Sequence, residues 1–148
     1  MNIYEIKENK KQYLDLLLLA DEQESMIDKY LKKGMMFVLE DSGKIKALCV
    51  VTNEGNSVLE VKNIAVYPEY QRCGLGKKLI DFVADKYKSA YTVLLVGTGD
   101  SPLTVPFYEK CGFKRSHYIK NFFVDNYDHE IFEGGVQLKD MVYLKKDL

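Results

Sequence analysis

One stretch of the sequence, residues 61–87, constrains the fold more than any other. The run Ile64-Ala65-Val66 is apolar and ends before Pro68, which is typical of a strand inside a sheet. Beyond Gly74, apolar residues recur at helical spacing, and they are Leu75, Leu79, Ile80, Phe82, Val83 and Tyr87. The stretch therefore predicts a buried strand that leads through a glycine turn into an amphipathic helix.

The start of this helix has the features of an anion-binding site. The first turn of a helix leaves backbone N–H groups unpaired, and the helix dipole adds roughly half a positive charge there. Gly74 and Gly76 carry no side chain that would block an approaching ligand. Lys77 and Lys78 add formal positive charge. The turn is therefore predicted to bind a phosphate.

Two common phosphate motifs do not fit this turn. A dinucleotide fingerprint needs glycine where Leu79 stands. A P-loop that ended at Gly76-Lys77 would need glycine at Gln71 and serine or threonine at Lys78. A regulator that binds NAD or ATP at this turn is therefore disfavoured.

The turn does fit another signature. Gln71-Arg72-Cys73-Gly74-Leu75-Gly76 resembles the Gln/Arg-x-x-Gly-x-Gly/Ala motif of the GCN5-related N-acetyltransferases, which binds the pyrophosphate of acetyl-coenzyme A. A strand that ends in Val-x-Pro precedes it, as in that family. The later run Tyr108-Glu109-Lys110-Cys111-Gly112-Phe113 matches the family's Tyr-x-x-x-Gly-Phe motif, in the same order along the chain. The resemblance covers residues 60–113.

The resemblance implies how the acetyl donor, acetyl-coenzyme A, is bound. It implies that the pantetheine arm lies along Ile64, Ala65 and Val66, and that an N–H near Val66 polarises the thioester carbonyl. The pyrophosphate would rest on the backbone of Gln71, Arg72, Cys73, Gly74, Leu75, Gly76, Lys77 and Lys78. Ser101 stands where the family often has an asparagine that contacts pantetheine. Its hydroxyl replaces part of that contact or only caps the next helix.

The resemblance also suggests catalytic roles. Tyr108 corresponds to the tyrosine that many members use as general acid toward the coenzyme A thiolate and would also lie against the donor. Proton transfer from a phenol of pKa ~10 to a thiolate of pKa ~8.5 is uphill by about 2 kcal/mol, so hydrogen bonding is an equal alternative. Glu60 aligns with the base of the histone-acetylating members. Its alternative is a structural pair with Lys62, and proton removal through water to Glu60, Asp125 or Glu130 also stays open.

Composition limits the other classes. A chain of 148 residues with 47% hydrophobic content predicts one domain over residues 1–148. A formal net charge of −1 gives no electrostatic footprint for nucleic acid or for an anionic membrane surface. Three cysteines without metal-ligand spacing predict reduced thiols, no metal site and a cytoplasmic location. Cys49 and Cys111 are expected in the core.

The rest of the chain predicts a mixed, mostly antiparallel sheet of about six or seven strands flanked by helices, the fold that the resemblance also implies. Asp21 is expected to cap a second helix that ends at Gly34, and Ser101 a later helix with Pro102 in its first turn. Helices are expected at 10–20, 21–34 and 101–111, and strands at 2–7, 35–40, 44–52, 57–67, 91–96, 113–118 and 139–145.

The acceptor is sought in the N-terminal helices and in residues 118–135. This segment combines aromatic and acidic residues, namely Phe122, Phe123, Tyr127, Phe132, Asp125, Asp128, Glu130 and Glu133. It predicts either a pocket for a cationic amine, a surface loop or a homodimer contact. The resulting hypothesis is transfer of an acetyl group to a primary amine of a small molecule or peptide by direct attack in a ternary complex. The alternative is a non-catalytic acetyl-coenzyme A sensor of the same fold.

Overall fold

Seven of the nine strands form one sheet in the computed structural model, which describes all residues 1–148. The strands are β1 (Asn2–Ile6), β2 (Met35–Asp41), β3 (Lys44–Gly55), β4 (Val58–Val66), β5 (Val93–Gly99), β6 (Lys114–Ile119), β7 (Phe132–Glu133), β8 (Val136–Gln137) and β9 (Met141–Asp147). The sheet order is β1-β2-β3-β4-β5-β9-β6, and β7 and β8 form a separate hairpin. Only β4 and β5 pair in parallel. The predicted mixed, mostly antiparallel sheet is confirmed.

Five α-helices flank this sheet. They are α1 (Leu14–Ala20), α2 (Glu24–Ile27), α3 (Leu75–Tyr87), α4 (Val105–Lys110) and α5 (Phe122–Asn126). The long helix α3 begins directly after Gly74, as the glycine turn predicts. None of the helices combines the length and the apolar composition that a membrane crossing needs.

The hairpins on the N-terminal side depend on residues with positive φ. Ser42 and Gly43 turn the chain between β2 and β3 with φ of 54° and 76°. Asn56 and Ser57 do the same between β3 and β4 with φ of 54° and 63°. Two consecutive positive φ angles give the type I′ geometry, whose twist matches that of the strands. The second turn therefore lies later than predicted, and β3 continues to Gly55.

Apolar side chains fill both faces of the sheet. On one face α3 packs against β3 and β4, and the fully buried residues there include Val51, Leu59, Leu79, Ile80 and Val83. On the other face α1 and α2 cover the sheet through Leu16, Leu17, Ile27, Met36 and Val50. Cys49 and Cys111 are buried, in agreement with the sequence.

The second helix is shorter than the sequence predicts. Residues 10–13 form a 3-10 turn before α1, and α2 spans only Glu24–Ile27. Asp21 does not cap α2, whose N-cap is Gln23. The Asp21 carboxylate instead accepts hydrogen bonds from the hydroxyls of Tyr127 at 2.6 Å and Tyr30 at 3.2 Å. A capping interpretation from local sequence fails here because distant phenols compete for the carboxylate.

The helix before the Tyr-x-x-x-Gly-Phe motif also starts later than predicted. Its N-cap is Thr104, and Pro106 rather than Pro102 lies in the first turn. The Ser101 hydroxyl oxygen accepts a hydrogen bond from the Leu103 N–H at 3.0 Å, within a turn that precedes α4. Ser101 therefore does not cap the helix, which is short, as two prolines four residues apart require.

The tight packing around Gly34 predicts that a substitution there changes stability measurably. A Cβ at Gly34 would lie 2.6 Å from Val50 Cγ1 and 2.9 Å from the Tyr30 carbonyl oxygen. Gly34→Ala is therefore expected to lower the free energy of unfolding by about 1–3 kcal/mol, the usual cost of overpacking. Urea unfolding measures this change. Unaltered stability would mean that the turn after α2 is not packed onto β3 as described.

Candidate functional site

A cavity opens where β4 and β5 separate. The two strands pair only at 58–61 and 93–96, so residues 63–66 of β4 keep β3 as their sole partner. The cavity has a volume of about 550 Å³. Its walls come from β4, β5, the end of α1, α4 and the stretch 123–141. Such a cleft between splayed strands admits an extended ligand.

The free edge of β4 offers backbone groups to this cavity. Tyr67 donates its N–H to the Lys46 carbonyl on β3 at 3.0 Å. Because consecutive residues of a strand point their backbone groups to opposite edges, those of Ile64 and Val66 point away from β3 and toward the cavity. The Val66 carbonyl already accepts a hydrogen bond from Gln71 Nε2 at 3.0 Å. Gln71 thereby ties the turn to the strand that leads into it.

The turn itself holds a run of unpaired amides. The N–H groups of residues 72–77 donate to no acceptor within the protein, and Lys78, which bonds the Gly74 carbonyl at 3.1 Å, is the first paired one. Gly74 has a φ of 81°, a conformation that favours glycine. A Cβ on Gly76 would lie 3.0 Å from the Phe107 ring, so this glycine also lets α3 pack against α4. The amides and the positive end of α3 converge on one anion site.

Side chains contribute less to this turn than its backbone does. Lys77 pairs with Asp81 at 2.7 Å on the exposed face of α3, and Leu75 is buried in the core. Arg72 and Cys73 are exposed. Ala65 is likewise a core residue, packed on the α1 face of the sheet. The predicted donor-binding residues are thus adjacent in space, and most of them offer backbone groups.

Tyr108 lies on α4 and lines the cavity. Its ring is 7% exposed and packs edge-on against Phe107 and Phe113. Burial raises the pKa of the Tyr108 hydroxyl well above its ordinary value, and the negative charge of Glu133 adds to the shift. A phenol that resists ionisation is a hydrogen-bond donor across the physiological pH range.

Glu60 is not at the cavity surface. Its side chain is buried within β4 and forms an ion pair with Lys62 at 2.9 Å, while Lys62 lines the cavity. Burial raises the pKa of the Glu60 carboxyl, and Lys62 opposes the shift. The structure thus contains the pair with Lys62 that the sequence left as an alternative, and the role of Glu60 as a base stays a prediction.

Glu60 also predicts a pH dependence of stability. Because its pKa is raised in the folded state, folded protein binds this proton more tightly than the unfolded chain, whose glutamates titrate near ~4.3. The wild type should therefore lose stability relative to Glu60→Gln as the pH rises from about 4 to about 7. Urea unfolding of both proteins across that range measures the difference. A difference that does not vary with pH would contradict the raised pKa.

Three other candidates do not line the cavity. Ser101 is 3% exposed and does not line it. Asp125 and Glu130 are on the outer surface and do not line it either. No group of three or more His, Cys, Asp or Glu side chains is arranged to hold a metal ion.

The segment 118–135 folds over one end of the cavity. Phe123, Tyr127, Phe132 and Glu133 line the wall that it forms. Phe123 packs with Ile131 and Leu138 in a small cluster of its own. Phe122, Asp125, Asp128 and Glu130 of the predicted set do not line the cavity, and a role of this segment in acceptor binding stays a prediction.

Sequence reasoning missed Asp21 and Glu22, which line the cavity at the end of α1. The Asp21 carboxylate accepts a hydrogen bond from the Tyr127 hydroxyl, although the two residues are 106 positions apart in the sequence. Tyr30, the second phenol on Asp21, also receives a hydrogen bond from Asn63 Nδ2 at 3.0 Å. No local pattern signals this arrangement, because its members come from three separate parts of the chain.

Comparison with known proteins assigns this architecture. The family model "Acetyltransferase (GNAT) domain" matches residues 32–115. The uncharacterized N-acetyltransferase YvbK of Bacillus subtilis (strain 168) is 34% identical over 144 residues, which are 96% of this chain and 93% of that protein.

Solved structures agree over the whole chain. A GNAT family acetyltransferase from Elizabethkingia anophelis with acetyl-CoA bound superposes with a TM-score of 0.94 at 35% identity, covering 99% of this chain and 97% of that one. An IAA acetyltransferase from Bacillus cereus ATCC 14579 gives a TM-score of 0.92 at 33% identity and covers 99% of both chains.

Proposed function

Because this chain belongs to the GNAT acetyltransferase family, we propose that it moves the acetyl group of acetyl-CoA to a primary amine of a small molecule or peptide, by direct attack in a ternary complex. One observation carries the proposal. The unpaired amides of residues 72–77 stand beside the free edge of β4, and that edge leads into a cavity lined by Tyr108. We take residues 1–148 as one catalytic domain.

The proposed donor site uses mostly backbone. The amides of residues 72–77 and the positive end of α3 hold the pyrophosphate, since an anion there satisfies N–H groups that have no other partner. The pantetheine amides bond to Ile64 and Val66 as an added strand would. The Gln71 side chain supports this arrangement indirectly, because it fixes the turn to Val66.

The proposed reaction is one displacement. The amine nitrogen attacks the thioester carbonyl carbon, a C–N bond forms, and the C–S bond breaks. A backbone N–H near Val66 polarises the carbonyl, and the Tyr108 hydroxyl stabilises the departing thiolate by a hydrogen bond or by transfer of its proton. An alkylamine of pKa ~10.4 is neutral in only about one molecule in 2,500 at pH 7, so its proton must leave through a carboxylate or ordered water.

Release of coenzyme A thiol tests this proposal. The protein is mixed with acetyl-CoA and with polyamines, amino acids, aminoglycosides or peptides, and coenzyme A binding is measured in parallel. Turnover with one amine class supports the enzyme and identifies its acceptor. Tight binding of coenzyme A without turnover on any amine would favour the sensor alternative. Absence of coenzyme A binding would reject both.

A further inference from the structure

The lining of the cavity carries an excess of negative charge. Three carboxylates line the cavity, from Asp21, Glu22 and Glu133, and Lys62 is the one basic residue among its lining residues. Lys62 is already paired with Glu60 at 2.9 Å. The carboxylates therefore have no cation of the protein's own inside the cavity.

Asp21 is the carboxylate that the fold holds in place. The hydroxyls of Tyr127 and Tyr30 donate to its two oxygens, at 2.6 Å and 3.2 Å. Both partners are neutral, so they fix the position of the carboxylate without cancelling its charge. A carboxylate accepts about four hydrogen bonds, so lone pairs remain for a ligand. Asp21 is thus a fixed and uncompensated anion in the cavity wall.

A second observation at the same wall also points to a ligand. Asn63 lines the cavity, is 3% exposed, and donates from Nδ2 to the Leu17 carbonyl and to the Tyr30 hydroxyl. Its Oδ1 is the buried side-chain atom of this protein that has no hydrogen-bond partner. Buried acceptors are nearly always satisfied. The Asn63 side chain, which also orients Tyr30 and, through it, Asp21, therefore keeps an unused acceptor that suits a donor group of a ligand.

The chemistry of the transfer limits which nitrogen Asp21 could hold. The attacking nitrogen must be neutral, and a carboxylate in contact with an ammonium favours its charged form. A carboxylate that stayed ionised in an ion pair with the attacking nitrogen would oppose its deprotonation, so holding that nitrogen and accepting its proton are different roles. The cation that suits Asp21 is therefore a different one on the same molecule.

We propose that Asp21 determines acceptor specificity by binding a second positive charge, so that the preferred acceptors are primary amines with a cationic group at their other end. This inference rests on the proposed acetyl transfer and adds the acceptor class. Tyr127 acts as a positioning residue, because it links Asp21 to the segment that covers the cavity.

Three acceptors of equal chain length test the inference. Diaminobutane, aminobutanol and aminobutyrate each present a primary amine, and their far ends are a cation, a neutral hydroxyl and an anion. We expect kcat/KM to fall in that order. Asp21→Asn should lower kcat/KM for diaminobutane by about 10- to 100-fold, the usual range for a hydrogen bond to a charged group, and should leave aminobutanol nearly unchanged.

The control is Asp125→Asn, which removes the same charge from an exposed site on α5 and should change none of the three values. Tyr127→Phe leaves Asp21 charged but loosely held, so it should cause a smaller loss for diaminobutane alone. Equal losses on all three acceptors, or a preference for aminobutyrate, would overturn the inference while the acetyl transfer stood.

Absence of turnover on every amine of the wider panel would count against the proposed acetyl transfer, and the role of Asp21 would still be testable. Calorimetric titration of the coenzyme A complex with diaminobutane then decides whether Asp21 binds a cation. Binding that is lost in Asp21→Asn supports the cation site, and absence of binding to the wild type rejects it.

Discussion

Replacing Gly74 by glutamate is expected to abolish coenzyme A binding, with a loss of at least 100-fold. The new carboxylate would stand among the amides of residues 72–77, where the pyrophosphate is proposed to dock, and would repel it. Losing even two hydrogen bonds to a charged group accounts for a change of this size. Calorimetry with coenzyme A measures the effect directly.

The substitution at Gly74 needs a matched control, because a backbone φ of 81° strains any residue other than glycine. Gly55 has the same φ of 81° in the turn after β3, and a Cβ at either glycine would meet no atom within 4 Å. Glutamate at either position should therefore cost a similar amount of stability, about 1–2 kcal/mol. Only Gly74→Glu should lose coenzyme A. If Gly55→Glu lost it equally, a loss of overall stability rather than the charge at the turn would be the cause.

The donor half of this site is predictable because it is local. The strand, the glycine turn and α3 occur within residues 61–87, and each follows from its own periodicity or from a glycine at a fixed place. The sequence does not reveal one further requirement, which comes from packing. Position 76 must lack a side chain because a Cβ there would crowd the Phe107 ring. Backbone amides are proposed to do the binding in this half, so side-chain identity would matter little there.

The acceptor half is not predictable because its contacts are long-range. Asp21 has the pattern of a helix cap, and its partner Tyr127 lies 106 residues away. Tertiary packing gave this carboxylate to the phenol rather than to a local helix cap. The misplaced cap at Ser101 has a local cause instead, because its hydroxyl accepts the Leu103 N–H in a turn that precedes α4.

Removal of the hydroxyl oxygen of Tyr108 is the sharpest test of the chemistry proposed for the cavity. Tyr108→Phe keeps the ring that packs against Phe107 and Phe113, so folding and coenzyme A binding should be preserved. Turnover should fall by about 10²- to 10⁴-fold, the usual contribution of a positioned proton donor. Single-turnover release of coenzyme A thiol, with saturating donor, measures this step.

The matched control removes a phenol outside the cavity. Tyr87 lies on α3 and directs its hydroxyl to Met35 Sδ at 3.1 Å, so Tyr87→Phe should leave turnover unchanged. The pH profile tests whether the Tyr108 hydroxyl stays protonated, which both of its possible actions require. Because burial raises the pKa of Tyr108, no activity should be lost through its ionisation up to about pH 10. Unchanged turnover in Tyr108→Phe would remove the hydroxyl from the mechanism and leave thiolate departure to the solvent.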